Sequence, residues 1–279
     1  MYWLVRVALI LAVSAALAGL VLAPSRDSTT PGAGSAGAPT AARPVPTVVD
    51  DPHCRPPAQH PNPVLLLHGA FALTSWRVIG PALAQRGYCV FTLNYGEGGT
   101  GEIARSAHQL DRFVNRVLAR TRAARVSIVG HSEGGMMPRY YVRFLRGAAK
   151  VDDLVGLSPP NHGTLNPLLL AGAAMGCTAC AEQEAIGSPF LNKLNAGVEA
   201  PGPVSYTVLQ TIYDAVVTPY TSAFLSGGSG HITNVALQQR CRQDTVGHVG
   251  MPVDPVVLQW VENALARRGP ADPAFRPRC

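Results

Sequence analysis

Residues 124 to 141 read ARVSIVGHSEGGMMPRYY, and this stretch constrains the fold more than any other in the chain. A run of β-branched and apolar residues stops at Gly130, and a helix-like run begins a few residues later, so a strand has to pass into a helix through a very short turn. The turn carries Gly130-His131-Ser132-Glu133-Gly134, the pattern G-x-S-x-G. The pattern alone is weak, and its setting between strand and helix is what gives it weight. Glycines at 130 and 134 leave room for a strained turn that lifts Ser132 clear of a sheet's carboxyl edge, and the helix N-terminus behind adds positive potential at the same spot.

The surrounding segments predict the sheet. PVLLLHG, YCVFTLN, RVSIVG, DDLVGLS, VSYTVLQ and HITNVALQ read as six strands in chain order. Between them, SWRVIGPALAQRG predicts a helix that Ser75 would cap and Gly87 would stop, with Pro81 a complication in its second turn. Ile103, Ala107, Leu110, Val114 and Val117 fall at three- and four-residue steps and predict a long amphipathic helix. MMPRYYVRFLRG follows the third strand as a helix, and a last one runs from Asp254 to about Arg268. Strands alternating with helices imply an α/β fold, a mostly parallel sheet between helical layers. Residues 161 to 203 break the alternation. Their apolar run LNPLLLAGAAMG reads either as a core helix or as a lid or wall over a site at the strand ends.

Two segments stand outside this fold. Residues 1–23 place Arg6 before a long apolar run, as in a secretory signal, although the run is also long enough for an uncleaved anchor. Residues 24–53, rich in Pro, Gly, Ala, Ser and Thr, read as a linker, leaving 54–279 as one domain. The expected location is therefore extracellular. All six cysteines, Cys54, Cys89, Cys177, Cys180, Cys241 and Cys279, follow the leader. An even count in an exported chain favours disulfides. The pairing expected is Cys54 with Cys89, Cys177 with Cys180 and Cys241 with Cys279, out of 15 connectivities that six cysteines allow. Zinc on the Cys177-x-x-Cys180 pair is the rival, but no second pair stands at finger spacing. The net charge of +6 is mild, and the arginines of RSAHQLDRFVNRVLARTRAAR lie at helical spacing among acids and apolar residues, so a solvated helix face is expected rather than a nucleic-acid stripe.

A serine in such a turn needs a base, and the base needs a carboxylate to fix its tautomer. In strand-turn-helix serine sites the chain order is Ser, then Asp or Glu, then His. The histidines after Ser132 are His162, His231 and His248. His231 opens a strand, at the wrong end of the sheet, whereas His248 lies in the loop beyond the last strand and is the expected base. Asp214, just after the fifth strand, is the expected acid, with Asp244 the competitor from the histidine's own loop. Oxyanion donors are expected at the backbone N–H of Glu133 and of Ala70, with Phe71 second. His68 precedes Ser132 and is read as structural. Met136 and Met137, with residues 165–176, either wall a fatty-chain groove or serve as packing.

PVLLLHGAFA, YCVFTLNYG, VSIVGHSEGG, SPPNHGT, TIYDAVVTP and GHVGMPVDP, in this order, resemble the class 2 lipases, secreted bacterial α/β-hydrolases close to the small lipases of bacilli. The resemblance spans about residues 54 to 279. It implies a compact α/β-hydrolase fold that starts at the strand larger hydrolases count as their third. It also implies hydrolysis of carboxylic esters including acylglycerols, the triad Ser132, Asp214 and His248, and oxyanion donors Ala70 and Glu133. Many relatives carry an acid after the aspartate where this chain has Ala215. No cofactor and no metal are expected, since no carboxylate cluster for calcium is visible. The substrate is expected to be a lipid or small ester, met in one setting at a lipid–water interface, with no nucleic acid and a monomeric chain. An envelope acyltransferase using the same triad is the alternative, and a binding protein that keeps the fold without the chemistry is a third reading, which a complete triad disfavours.

Overall fold

The computed structural model describes residues 49–174, 176–184, 186–227 and 231–279. The leader at 1–23, and the linker as far as residue 48, lie outside the described residues. Strands Val64–Leu67 (β1), Val90–Leu93 (β2), Val126–His131 (β3), Val151–Leu157 (β4), Ser205–Gln210 (β5) and Ile232–Ala236 (β6) form one sheet in the order β2-β1-β3-β4-β5-β6. Every pairing is parallel.

Helices Ile79–Gln85 (α1), Ile103–Thr121 (α2), Glu133–Phe144 (α3) and, at the end of the chain, Pro255–Leu265 (α7) cover the sheet. A strand covered on both faces has no polar side, which is why β1 reads VLLL with every residue buried. Leu65 and Leu67 join Ile103, Leu110 and Val114 of α2 and Tyr141 of α3 in one cluster. Val64 and Leu66 point the other way, onto Ile79 and Leu83 of α1 and Val257 and Trp260 of α7. Met136 and Met137 of α3 are fully buried in the first cluster, so they are packing and not the wall of a groove.

The boundary of α1 differs from expectation. It opens at Ile79 with no side-chain cap, so Ser75 is outside it. Pro81 explains the shift: proline has no N–H to donate and is tolerated in a first turn, so the helix starts just before it. Gly87, at φ 90°, ends the segment as expected. The closing helix α7 stops at Leu265, three residues short of the expected end; its start is held by Asp254, whose carboxylate accepts the N–H groups of Val256 and Val257 at 2.7 and 2.9 Å.

Among the described residues between β4 and β5 stand three short helices, Pro167–Ala174 (α4), Thr178–Glu184 (α5) and Pro189–Asn195 (α6). Leu191 and Leu194 of α6 belong to the core. The root of α4 is tied to the loop after β5, where Asn166 Nδ2 donates to the Ala215 carbonyl at 2.6 Å and Thr164 Oγ1 to that of Val216 at 2.6 Å. The insertion is thus part core and part wall at the carboxyl edge of the sheet. Disulfides join Cys54 to Cys89, Cys177 to Cys180 and Cys241 to Cys279. Cys177 and Cys180 are bonded to each other, which takes up both thiols a zinc site would use, and among the described residues no group of three metal-ligating side chains occurs.

The strand order reverses at β1. From β1 the chain steps to β2 on one side, while β3 lies on the other and continues to β4. Loops leaving β1 and β3 therefore part at the carboxyl edge and leave a crevice between them, the place where open parallel sheets bind ligands.

Candidate active site

Ser132 sits in that crevice. It follows β3, caps α3, and holds φ 55° and ψ −125°, a conformation that a side-chain-bearing residue adopts only under constraint. The constraint is visible on both sides of the turn. The Ser132 N–H donates to the Leu157 carbonyl at 2.8 Å, and its own carbonyl accepts the Gly135 N–H at 2.9 Å. A Cβ on Gly130 would overlap the Gly134 carbonyl, and one on Gly134 would overlap the carbonyls of Leu67 and His68, so both glycines are required by close backbone approach. Glu133 is the first residue of α3, and its N–H is one of the leading donors of that helix. His131, between Gly130 and Ser132, is buried.

The loop from β1 lies against the serine. A Cβ on Gly69 would come within 2.8 Å of Ser132 Cβ, so Ala70 follows directly where the loop meets the elbow. Residues Ala70–Ala72 form a tight, non-helical turn in which Phe71 and Ala72 have φ 61° and 51°. His68 supports this loop: its Nδ1 donates to the Gly69 carbonyl at 2.8 Å, its own carbonyl accepts the Tyr95 hydroxyl at 2.6 Å, and its ring stacks on Tyr95.

His248 and Asp214 meet beside the elbow. His248 Nδ1 donates to Asp214 Oδ2 at 2.8 Å, with both residues buried. The other carboxylate oxygen, Oδ1, accepts the N–H groups of Val216 and Val217, each at 2.8 Å. Burial alone would raise the Asp214 carboxyl, but the bonds from His248 and from those two N–H groups hold it below the usual carboxylate range, so it stays ionised at neutral pH. Asp244 is placed elsewhere, its Oδ1 accepting the Val246 N–H at 2.9 Å within its own loop. Ser132 Oγ makes no hydrogen bond to His248, and the rings of His131 and His248 lie 4.7 Å apart.

The other two histidines that follow Ser132 lie away from it. His162 Nδ1 lies 3.0 Å from the Ser222 carbonyl and its Nε2 lies 2.9 Å from Glu199 Oε1, contacts that tie the start of the insertion to its end. His231 is exposed just before β6, at the opposite edge of the sheet from Ser132. Sequence reasoning misses two supporting residues. Thr74 accepts the Gly69 N–H at 2.8 Å, and no sequence signal singles it out. Arg139 of α3 is fully buried and donates to Asn161 at 3.2 Å, Asn195 at 2.7 Å and the Glu199 carbonyl at 3.1 Å; burial lowers its pKa to about 10, which leaves it charged at neutral pH. No signal in the sequence separates Arg139, which is buried, from Arg143 one turn further along the same helix.

A family model of the class 2 lipases matches residues 61–261. A triacylglycerol lipase of Burkholderia plantarii is 34% identical over 124 residues, which is 39% of this chain and 32% of that protein. One of Pseudarthrobacter phenanthrenivorans is 35% identical over 92 residues, 28% of this chain and 27% of that protein. The chain therefore spans about a third of the length of the curated relatives it matches. The crystal structure of Aspergillus fumigatus lipase B superposes with a TM-score of 0.67 over 76% of this chain and 54% of that one, at 21% identity, a likeness of fold.

Proposed function

The chain belongs to the class 2 lipase family, and from that membership we propose that it hydrolyses carboxylic esters, acylglycerols among them, through an acyl-enzyme on Ser132. The observation that carries this reading is the buried Asp214–His248 pair beside a serine held at positive φ at the head of a helix. Asp214 fixes His248 with its proton on Nδ1, which leaves Nε2 to take the proton from Ser132 Oγ once substrate draws the two together. Oγ adds to the ester carbonyl carbon, and the oxyanion that forms is received by the N–H groups of Ala70 and Glu133 at the positive end of α3. His248 returns the proton to the leaving alcohol as the C–O bond breaks. A water deprotonated by His248 then adds to the acyl carbon, releases the acid and restores Ser132.

The surroundings support an apolar substrate. Phe71 and Leu73 after β1, Leu165 after β4, Ile212 and Tyr213 after β5 and Val249 after His248 are each 44% to 66% exposed, and all stand on loops at the carboxyl edge. Such a rim suits contact with a lipid–water interface. Three disulfides support a protein that works in an oxidising compartment, in keeping with an export leader at 1–23. The test is hydrolysis of p-nitrophenyl esters from short to long acyl chains and of emulsified triacylglycerol, with Ser132→Ala as the blank. Activity on long chains that vanishes in Ser132→Ala is expected. Activity retained in that variant rejects the serine reading, and activity confined to short soluble esters rejects the lipid one.

A further inference from the structure

One partly buried chain of hydrogen bonds links the three loops that meet at Ser132. The Gly69 N–H donates to Thr74 Oγ1 at 2.8 Å, Thr74 Oγ1 lies 2.8 Å from His131 Nδ1, and His131 Nε2 lies 2.9 Å from the His248 carbonyl. The protons in this chain can be assigned by elimination. A carbonyl only accepts, so His131 Nε2 carries the ring proton; Nδ1 of the neutral ring is then a lone pair, and the Thr74 hydroxyl donates to it while its oxygen accepts from Gly69. Every bond runs in one direction, from the loop after β1 through the elbow to the loop after β6, the arrangement in which successive bonds strengthen one another.

We propose that His131 and Thr74 are positioning residues that tie the backbone of His248 to the oxyanion loop, so that base and oxyanion donors are held in one frame with Ser132. The inference rests on the reading of Ser132, Asp214 and His248 as the reacting groups. Geometry explains why a histidine stands at 131: one ring has to accept on one edge and donate on the other across the gap between two loops, in a residue whose backbone is already in the elbow. It also has to stay neutral. His248 becomes an imidazolium during turnover with its ring only 4.7 Å away, and a second cation there would oppose it. Burial, and then the charge on His248, push the His131 pKa down to about 3, against the hydrogen bond to the His248 carbonyl and the Asp214 charge, which act the other way.

The test combines a structural and a kinetic readout. In the wild-type protein, ¹⁵N-detected histidine NMR should find His131 as the Nε2-protonated neutral tautomer down to about pH 4, and His248 protonated on Nδ1. His131→Asn keeps a group near the δ position and loses the bond to His248, whereas His131→Gln reaches the ε position and keeps it; Thr74→Val breaks the chain at its other end. His131→Asn and Thr74→Val should lower kcat on a p-nitrophenyl ester by about tenfold to a hundredfold, the scale of a small misplacement of reacting groups. KM should change little, and the acid limb of the kcat/KM profile should move. Thr74→Ser should recover most of the loss seen in Thr74→Val, and His131→Gln, which restores the bond to His248 but not the one from Thr74, should fall between His131→Asn and wild type. A His131 that titrates near 6.5, or that carries its proton on Nδ1, overturns the proposal. So do wild-type kcat and pH profile in folded His131→Asn and Thr74→Val. A wild-type protein that neither hydrolyses esters nor is labelled at Ser132 by a fluorophosphonate overturns the underlying reading instead, and the positioning role with it.

Discussion

Asp214 owes its place to two backbone N–H groups as much as to the imidazole it faces. Oδ1 is occupied by Val216 and Val217 and Oδ2 by His248, so the carboxylate has one orientation and stays ionised. Asp214→Asn keeps the size but reverses the preferred tautomer of His248, and a fall in kcat on the order of 10⁴-fold is expected, with a much smaller change in KM. Asp244→Asn, four residues from His248 in sequence, should leave kcat within a few-fold of wild type, roughly the scale of a surface change; comparing the two in one steady-state assay separates the acids. Chain order makes Ser132, Asp214 and His248 legible in the sequence, because apolar runs mark the strand ends they follow. Thr74 is not legible there. Its role depends on the path of the loop after β1, and nothing in FALTSW announces where the hydroxyl will point. Gly134 is legible only as part of a pattern, and the structure supplies the reason. Gly134→Ala would press a methyl group into the carbonyls of Leu67 and His68, and a loss of more than about 4 kcal/mol, or failure to fold, is expected in urea unfolding.

At the level of elements, periodicity locates the strands and the long helix, and boundaries are where it falters. Ile103, Ala107, Leu110, Val114 and Val117 are all buried along α2, as an apolar stripe requires. The start of α1 falls at Ile79 and not at Ser75 because Pro81 outranks a polar residue that could cap but does not. Residues 161 to 203 resist a single reading for a physical reason: an all-apolar run such as LNPLLLAGAAMG has no polar face from which to tell core from wall. The disulfides offer an element-scale prediction. Cys241–Cys279 has a sequence separation of 38 and anchors the C-terminal tail to the loop after β6, while Cys177–Cys180 has a separation of 3. In the chain-entropy model, replacing the first pair by serine should cost about 4 kcal/mol and the second about 2 kcal/mol. Equal losses in urea unfolding would mean that native contacts, not loop closure, set these contributions.

Across the whole molecule, stability should depend on pH through Asp153, buried at the start of β4 and far from the crevice. Burial first, and then the nearby Asp152 charge, raise its pKa to about 7, against the hydrogen bond from Ser127 at 2.8 Å. The folded state holds this proton more tightly than the unfolded chain. Its contribution is therefore fully present below the unfolded value of 3.8 and is lost as pH rises through about 7. Asp153→Asn, which keeps an acceptor for Ser127, should gain stability over wild type from pH 4 to pH 7 and hold the gain above it; a difference that is flat with pH would contradict this. The fold itself is legible in the sequence at this scale, since alternating strands and helices leave few ways to cover both faces of a sheet, and the switch point between β1 and β3 follows from that order. The central claim is that Ser132 carries the acyl group. Mass spectrometry of the protein quenched during turnover of a long-chain p-nitrophenyl ester tests it most directly: an acyl adduct on the Ser132 peptide, absent from Ser132→Ala, is predicted, and turnover that persists in Ser132→Ala with no adduct on the wild-type peptide would contradict it.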